Sequence, residues 1–344
     1  MIMRFKNILN LIILFPLAVS AQTSQPVIGE KTFHFIDTVR ERKLTTEIWY
    51  PTDDTRKPAL KADYPFVTAP TVRDAKYPAL KHPLILLSHG TGGSRMTLEW
   101  LADALVKKGF IVGAVDHWGN TYDHKIAIDF VTPWQRSLDI SFVLTQLLKD
   151  TSLSEVIDRK RIGAAGFSIG GYTVLALAGA QLDLNALTAF SKTSQGMKES
   201  NIPEFPGLLK TLNEAAVQES FIKSPPLKDN RIKAFFAICP AIGQGFISKK
   251  QFKAVKNPIY IVAAQSDSIA PVKTNAAHYH QLIPKSRLYI LTGKTGHYVF
   301  LNEATAEIKK TGAPIFNDDP SVDRYLVHEL TGAAAVKFFK ESLK

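Results

Sequence analysis

The segment Gly166-Phe167-Ser168-Ile169-Gly170-Gly171 sets a serine two positions from a glycine on either side. It follows a β-type run, Arg161-Ile162-Gly163-Ala164-Ala165, and opens an apolar helical stretch from Tyr172 to Ala180. A G-x-S-x-G pattern in that setting is a nucleophile elbow, a strand turning sharply into a helix with the serine at the bend. Gly166 and Gly170 carry no side chain, so strand and helix can approach closely enough to make the turn. A serine hydroxyl is a weak nucleophile at neutral pH. It needs a base to accept its proton, and the base needs an acid to hold its tautomer and stabilise its charged form.

In strand–turn–helix sites of this kind the chain order is serine, acid, histidine. Asp267 fits the acid. It follows the apolar run Ile259-Tyr260-Ile261-Val262-Ala263-Ala264, and a carboxylate just past the end of a parallel strand stands where functional groups gather in open α/β sheets. Taken alone, Asp267 reads equally as a helix-capping or loop aspartate. His297 fits the base, in Thr292-Gly293-Lys294-Thr295-Gly296-His297-Tyr298, where two glycines bend a loop behind the last strand. His278, His280 and His328 fall in helical patterns instead.

Acyl transfer builds negative charge on a carbonyl oxygen, which backbone N–H donors must meet. Ser88-His89-Gly90-Thr91-Gly92-Gly93 follows a strand and can offer them. The expected donors are the N–H groups of Thr91 and Ile169, with His89 as scaffold. A phosphate-binding loop is the rival reading of these glycines, but the Lys-Ser/Thr ending of such loops is missing. Trp118, Phe167 and Tyr298, next to the proposed loops, are expected to line the site, although each could be ordinary core. No Cys/His cluster has metal-ligand spacing and no dinucleotide fingerprint occurs, so the expected chemistry uses no metal and no cofactor.

These residues need a frame. Apolar runs rich in β-branched and aromatic residues alternate with helical segments, which implies a mostly parallel sheet covered on both faces. Eight strands are expected: 31–36 and 44–50 as a hairpin ended by Pro51, then 83–88, 110–115, 161–167, 231–239, 258–264 and 287–291. Helices are expected over 95–108, 133–149, 169–180, 272–282 and 323–343. The stretch 181–230 is an insertion with a helical piece near 208–221, either a lid over the site or a passive excursion.

The first 21 residues have the pattern of an export signal: Arg4 and Lys6, an apolar stretch from Ile8 to Val19, and the small-residue site Val19-Ser20-Ala21. The expected mature chain, 22–344, is a single domain with a secreted or periplasmic destination. Cys239 is the only cysteine, so no internal disulfide can form, and its apolar setting suggests core. The formal charge is +11. The excess is spread thinly over positions such as Arg40, Arg42 and Lys43, which reads as a solvated basic surface open to peripheral contact with anionic surfaces. No patch or helix pair suggests nucleic-acid recognition.

With these residues in view, the chain resembles the α/β-hydrolase superfamily. Within it, the resemblance is to the dienelactone-hydrolase-like and platelet-activating-factor-acetylhydrolase-like serine esterases. It rests on Arg40-Glu41-Arg42 before Ile48-Trp49-Tyr50-Pro51, on Leu87-Ser88-His89-Gly90, on Gly109-Phe110-Ile111-Val112 leading to Val115-Asp116-His117, on the Ser168 elbow, Asp267 and Gly296-His297, and on Asp323-Arg324. The chain departs from both groups. Dienelactone hydrolases use a cysteine where Ser168 stands. The acetylhydrolases carry their acid just after the sixth strand, where this chain reads Cys239-Pro240-Ala241, so the acid falls to Asp267. The resemblance implies an α/β-hydrolase fold and an esterase working through an acyl-enzyme on a small-molecule or lipid-like ester. A polyester or cutin-type hydrolase, a serine peptidase and a non-catalytic protein on the same fold are the alternatives.

Overall fold

The computed structural model describes residues 26–199, 202 and 204–344. The export signal expected over 1–21 lies outside the described residues. Nine strands form one sheet: β1 (Val27–Asp37), β2 (Arg42–Thr52), β3 (Val72–Arg73), β4 (His82–Ser88), β5 (Ile111–Val115), β6 (Ile157–Phe167), β7 (Ala234–Ile238), β8 (Ile259–Ala264) and β9 (Arg287–Leu291). Their order is β3-β1-β2-β5-β4-β6-β7-β8-β9. β1 and β2 form the antiparallel hairpin expected, and β2 joins β5 antiparallel. From β5 to β9 every pairing is parallel.

The strand count departs from the eight expected. The extra strand, β3, is a two-residue pairing parallel to β1. Two residues in a proline-rich loop are too few for side-chain alternation to register. Pro51 does not end β2 but pairs with Ile28 inside it. It lies past Thr46–Trp49, the stretch that pairs with β5, so its missing N–H interrupts no bond of the second ladder.

β4 explains why the central strands read as unbroken apolar runs. Leu84 and Leu86 enter one core, whereas Ile85 and Leu87 enter the other. The first core packs under the helices Trp134–Leu147, Ile169–Ala178 and Ala276–Leu282, and the second under Glu99–Val106 and Arg324–Ser342. Truncating a fully buried leucine such as Leu86 to alanine would cost about 2–5 kcal/mol. The last helix begins at Asp323, whose carboxylate accepts the Leu326 N–H at 3.1 Å as an N-cap.

The sheet's topology fixes where a site can form. From β4 the chain moves to β5 on one side and then to β6 on the other, so the carboxyl ends of β4 and β6 flank a switch point. Ser88 and Phe167 are the last residues of those two strands. The insertion 181–230 holds the helices Leu184–Ser191, Ser194–Glu199 and Ala215–Ile222 and a 3₁₀ turn over Leu208–Asn213. It is anchored by Leu184, Leu187, Leu212 and Val217 in the first core. Among the described residues no helix is long and apolar enough to cross a membrane.

Candidate active site

Ser168 sits at the turn between β6 and the Ile169–Ala178 helix with φ 58° and ψ −120°, a conformation costly for a residue with a Cβ. Its neighbours leave no choice. A Cβ on Gly166 would lie 2.1 Å from the Gly170 carbonyl oxygen, and one on Gly170 would lie 2.0 Å from that of Ser88. The turn is braced on β7, because the Ser168 N–H donates to Ile238 O at 2.9 Å and Ala241 N–H donates to Ser168 O at 3.0 Å.

The three side chains separated widely in sequence meet here. His297 Nε2 lies 3.0 Å from Ser168 Oγ, and His297 Nδ1 lies 2.6 Å from Asp267 Oδ2. The other carboxylate oxygen, Asp267 Oδ1, accepts the N–H groups of Ile269 and Ala270 at 2.9 and 2.7 Å. Asp267 therefore both caps its own loop and meets the imidazole, contacts compatible with both readings of its sequence position. Burial pushes its pKa up, but the His297 contact and the N–H donors outweigh that and hold the carboxyl below its usual range. Cys239, the residue after β7, lies beside this pair with φ 43°. Its ligand atom and those of Asp267 and His297 lie within 4.8 Å of one another, a grouping that linear spacing does not reveal. Burial, then the nearby Asp267 carboxylate, pushes the thiol pKa well up. A thiol that stays protonated is a poor metal ligand, and Nδ1 and Oδ2 already face each other, so the trio suits an acid–base pair better than a chelate.

The loop 88–93 passes over the serine, with Gly90 against Phe167 and Ser168. Gly92 N–H donates to Asn120 Oδ1 at 3.0 Å and Gly93 N–H to Gly90 O at 3.2 Å. Among the described residues, the N–H groups of Thr91 and Ile169 donate to no acceptor, which leaves both available to a ligand. His89 is held from below. Its Nε2 accepts the His117 N–H at 3.2 Å, and its carbonyl accepts from Arg136 Nη2. Arg136 is fully buried with no carboxylate in ion-pair contact among the described residues, and burial lowers its pKa to about 9. Its Nη1 donates to Asn120 Oδ1 at 3.2 Å.

A second polar cluster lies directly beneath. Ser88 Oγ is 2.9 Å from His117 Nε2, and His117 Nδ1 is 3.0 Å from Asp139 Oδ2. Asp139 also pairs with Arg42 at 2.7 Å and Arg40 at 2.9 Å, and Arg42 reaches Asp129 at 2.6 Å. Arg42 is thus a buried tie between β2 and the helices Ala127–Val131 and Trp134–Leu147 that carry Asp129 and Asp139, not part of a solvated basic surface. Linear sequence gives a buried arginine and an exposed one the same appearance, since the carboxylates that draw it inward come from distant segments.

Ser168 and His297 open into a cavity of about 1170 Å³. Thr91, Phe167 and Tyr298 line it, as do Ile202 and Glu204 of the insertion. Trp118 does not. It packs against His124 with ring centroids 3.9 Å apart, under Lys43, and its carbonyl accepts from Arg42. Position past a strand end identified the right loop but could not give the direction of the ring. Its lining includes apolar side chains, Ile269, Leu301, Ile308, Ile315 and Phe316, and charged residues, Glu30, Glu47, Lys61, Arg73 and Arg95, that carry no mark in the linear sequence. These come from separate stretches of chain, so no local pattern could have exposed them.

A nine-stranded, mostly parallel sheet with an elbow serine at its switch point defines the α/β-hydrolase fold, and the chain has it. The fold is shared along nearly its whole length with a ferulic acid esterase from Streptomyces cinnamoneus, at a TM-score of 0.62 and 20% identity over 94% of this chain and 92% of that one. In sequence it is similar to a cutinase, Est1, of Thermobifida alba, 25% identical over 223 residues that cover 64% of this chain and 52% of the cutinase. It is also similar to an uncharacterized 31.7 kDa protein from the traX-finO intergenic region of Escherichia coli, 28% identical over 58% of this chain and 78% of that protein. No family model matches the chain.

Proposed function

We propose that the protein is an exported serine hydrolase that cleaves carboxylic esters through an acyl-enzyme. Ser168 attacks the ester carbonyl while His297 takes its proton, and Asp267 orients the imidazole and stabilises its charged form. The N–H groups of Ile169 and Thr91 receive the oxyanion, each contributing about 3 kcal/mol to lowering the barrier. His297 then protonates the leaving alcohol. Water enters, gives its proton to His297 and attacks the acyl-enzyme, which releases the acid and restores Ser168.

The observation that carries this reading is the hydrogen-bonded run Ser168–His297–Asp267, with contacts of 3.0 and 2.6 Å, at the wall of a large cavity. Support for esters over other acyl compounds comes from the fold shared with a ferulic acid esterase and the sequence similarity to a cutinase. The similarity to the cutinase also favours a polymer as a second substrate class. Against it, Ile202 and Glu204 of the insertion line the cavity, whereas a polymer chain would need an open groove. Hydrolysis of a polyester film decides between the two.

The test of the main reading is a fluorophosphonate probe together with a p-nitrophenyl ester series of increasing acyl length. The wild type should label and turn over esters, and Ser168→Ala should do neither. An unlabelled wild type, or equal labelling of Ser168→Ala, would overturn it.

A further inference from the structure

Lys61, Arg73 and Arg95 line the cavity, and each pairs with carboxylates more deeply buried than itself. Lys61 contacts Glu99 and reaches Glu30 at 3.1 Å. Arg73 is 3.3 Å from Glu30 and 2.5 Å from Glu47, and Arg95 is 3.2 Å from Glu47 and 2.5 Å from Asp116. One carboxylate, Glu47, thus holds both guanidinium groups beside it. Exposure runs one way. The Arg73 side chain is 49% exposed and that of Arg95 29%, against 1% for Glu30 and 2% for Glu47. Neither guanidinium is saturated. Arg73 spends Nη1 and Nη2 on Glu47 and Thr32, and Arg95 spends Nε and Nη1 on Glu47 and Asp116. Among the described residues, Arg73 Nε and Arg95 Nη2 donate to no acceptor.

A ligand reaching this part of the lining meets N–H donors, while the carboxylates behind them stay out of reach. Glu204, the remaining acid on the lining, stands beside Gly92 instead. Counted formally, four carboxyl groups (Glu30, Glu47, Glu99, Asp116) pair with three cations, an excess of one negative charge. Burial pushes the Glu99 pKa up to about 7 against the pull of Lys61, which reduces that excess near neutral pH. With the sum close to balance, the charges nearest the ligand decide, since attraction falls with distance. Those charges are the guanidinium groups. A carboxylate only accepts hydrogen bonds and fits the forked donors of arginine. A hydroxyl must also donate, and an ammonium would be repelled. The strand register gives the separation from Ser168. Glu47 pairs with Ala114, Ala114 with Leu87, and Leu87 with Ala165 near the end of β6. β2 and β6 are thus three strand spacings apart, about 14 Å.

Given ester hydrolysis at Ser168, the reading on which this rests, we infer that the enzyme prefers esters bearing a free carboxylate, which Arg73 and Arg95 hold at the far end of a hydrocarbon spacer. The apolar side chains of the lining, such as Leu301, Ile308 and Phe316, suit the spacer. The carboxylate can belong to the acid half of the ester or to the alcohol half. Two substrate sets separate these sources. One compares the monoethyl esters of succinate, suberate and dodecanedioate with ethyl butanoate, octanoate and dodecanoate. The other compares the butyrate ester of ω-hydroxydodecanoic acid with dodecyl butyrate.

The readout is the ratio of kcat/KM for the carboxylate-bearing ester to that for its neutral partner, on one enzyme preparation, so that loss of folded protein cancels. A cavity without a site for the charge would give a ratio below one, because it strips water from the carboxylate. In the wild type the ratio should instead reach about tenfold in one of the two sets, as a charge-assisted hydrogen bond implies. Among the monoethyl esters it should be largest for a long spacer and near or below one for succinate. It should fall as salt is raised from about 0.05 to about 0.5 M. Arg95→Met should bring it to one or less, and Arg95→Lys should restore part of it. A wild-type ratio at or below one throughout overturns the inference, as does a preference that both Arg73→Met and Arg95→Met leave intact. Turnover of p-nitrophenyl butyrate without a carboxylate preference would sink this subsite alone. Absence of both turnover and fluorophosphonate labelling would sink the ester-hydrolase reading itself.

Discussion

Ser168, His297 and Asp267 share their residue types and contact pattern with Ser88, His117 and Asp139, yet the proposed chemistry rests on the first set alone. In both, a serine Oγ stands about 3 Å from a histidine Nε2 and the same ring's Nδ1 meets an aspartate. The differences lie around them. Ser168 is held on a strained turn at a cavity wall, whereas Ser88 ends a regular strand with no exposed surface. Asp267 meets the His297 imidazole and no arginine or lysine among the described residues, but Asp139 is already shared with Arg40 and Arg42. Burial, then the nearby Arg136, pushes the His117 pKa down to about 3, so it cannot hold a proton during turnover near neutral pH. Contact geometry alone does not make a nucleophile. Access, backbone strain and an uncommitted acid do.

The widest separation between the two sets should come from removing the serines. Ser168→Ala is expected to lower kcat by roughly 10⁴–10⁶-fold with little change in stability. Ser88→Ala should keep kcat within about tenfold but cost about 1–3 kcal/mol, since it leaves the buried His117 Nε2 without a partner. Ester turnover and urea unfolding on both variants check this. The aspartates should divide the same way. Asp267→Asn should cost about 10⁴-fold in kcat by disturbing the imidazole tautomer. Asp139→Asn should cost about 3–5 kcal/mol, because it strips a counter-charge from buried Arg42. Equal activity losses in the two aspartate variants would erase the distinction drawn above.

Acid should separate the sets by stability. The folded pKa of His117, about 3, lies below the ordinary value of 6.5 that the unfolded chain should show. The unfolded state therefore binds the proton first. The stability that His117 contributes is fully present above about pH 6.5 and is lost as pH falls toward 3, by up to on the order of 5 kcal/mol. The gap between unfolding midpoints at pH 7 and pH 4 should narrow in His117→Asn relative to the wild type, without closing, because burial also lowers the pKa of His89 and of His328. A wild type with no loss over that interval would mean that His117 is not held neutral by the fold.

The sequence announces one set and conceals the other for a physical reason. A nucleophile elbow is local: Gly166 and Gly170 are demanded by backbones only 2.1 and 2.0 Å from where a Cβ would stand, so they leave a signature around Ser168. Asp267 and His297 carry weaker local marks and became legible through chain order. The Ser88–His117–Asp139 cluster has none, since its members lie on two strand ends and a helix face and read as an oxyanion-loop flank, a loop histidine and a surface helix. Strands buried on both faces were readable from their apolar runs, whereas β3, with two residues, was not. The charged lining of the cavity was hidden most completely. Its acids and bases come from separate segments, and a dispersed charge looks the same whether it ends in solvent or in a cleft.

Asn120 joins the two regions and gives the smallest, most discriminating effect. Its Oδ1 accepts from the Gly92 N–H of the loop over Ser168 and from Arg136 of the buried cluster, and its Nδ2 donates to Asp129 O at 3.1 Å. Asn120→Ala removes the acceptor that fixes Gly92, next to the Thr91 N–H proposed for the oxyanion, while Arg136 still holds His89. A loosened donor weakens transition-state binding more than ground-state binding. The variant should therefore lose about three- to tenfold in kcat with KM nearly unchanged, and Asn120→Asp, which keeps an acceptor, should recover part of it. If KM rises while kcat holds, Asn120 shapes the cavity rather than the oxyanion loop, and the buried cluster supports stability alone.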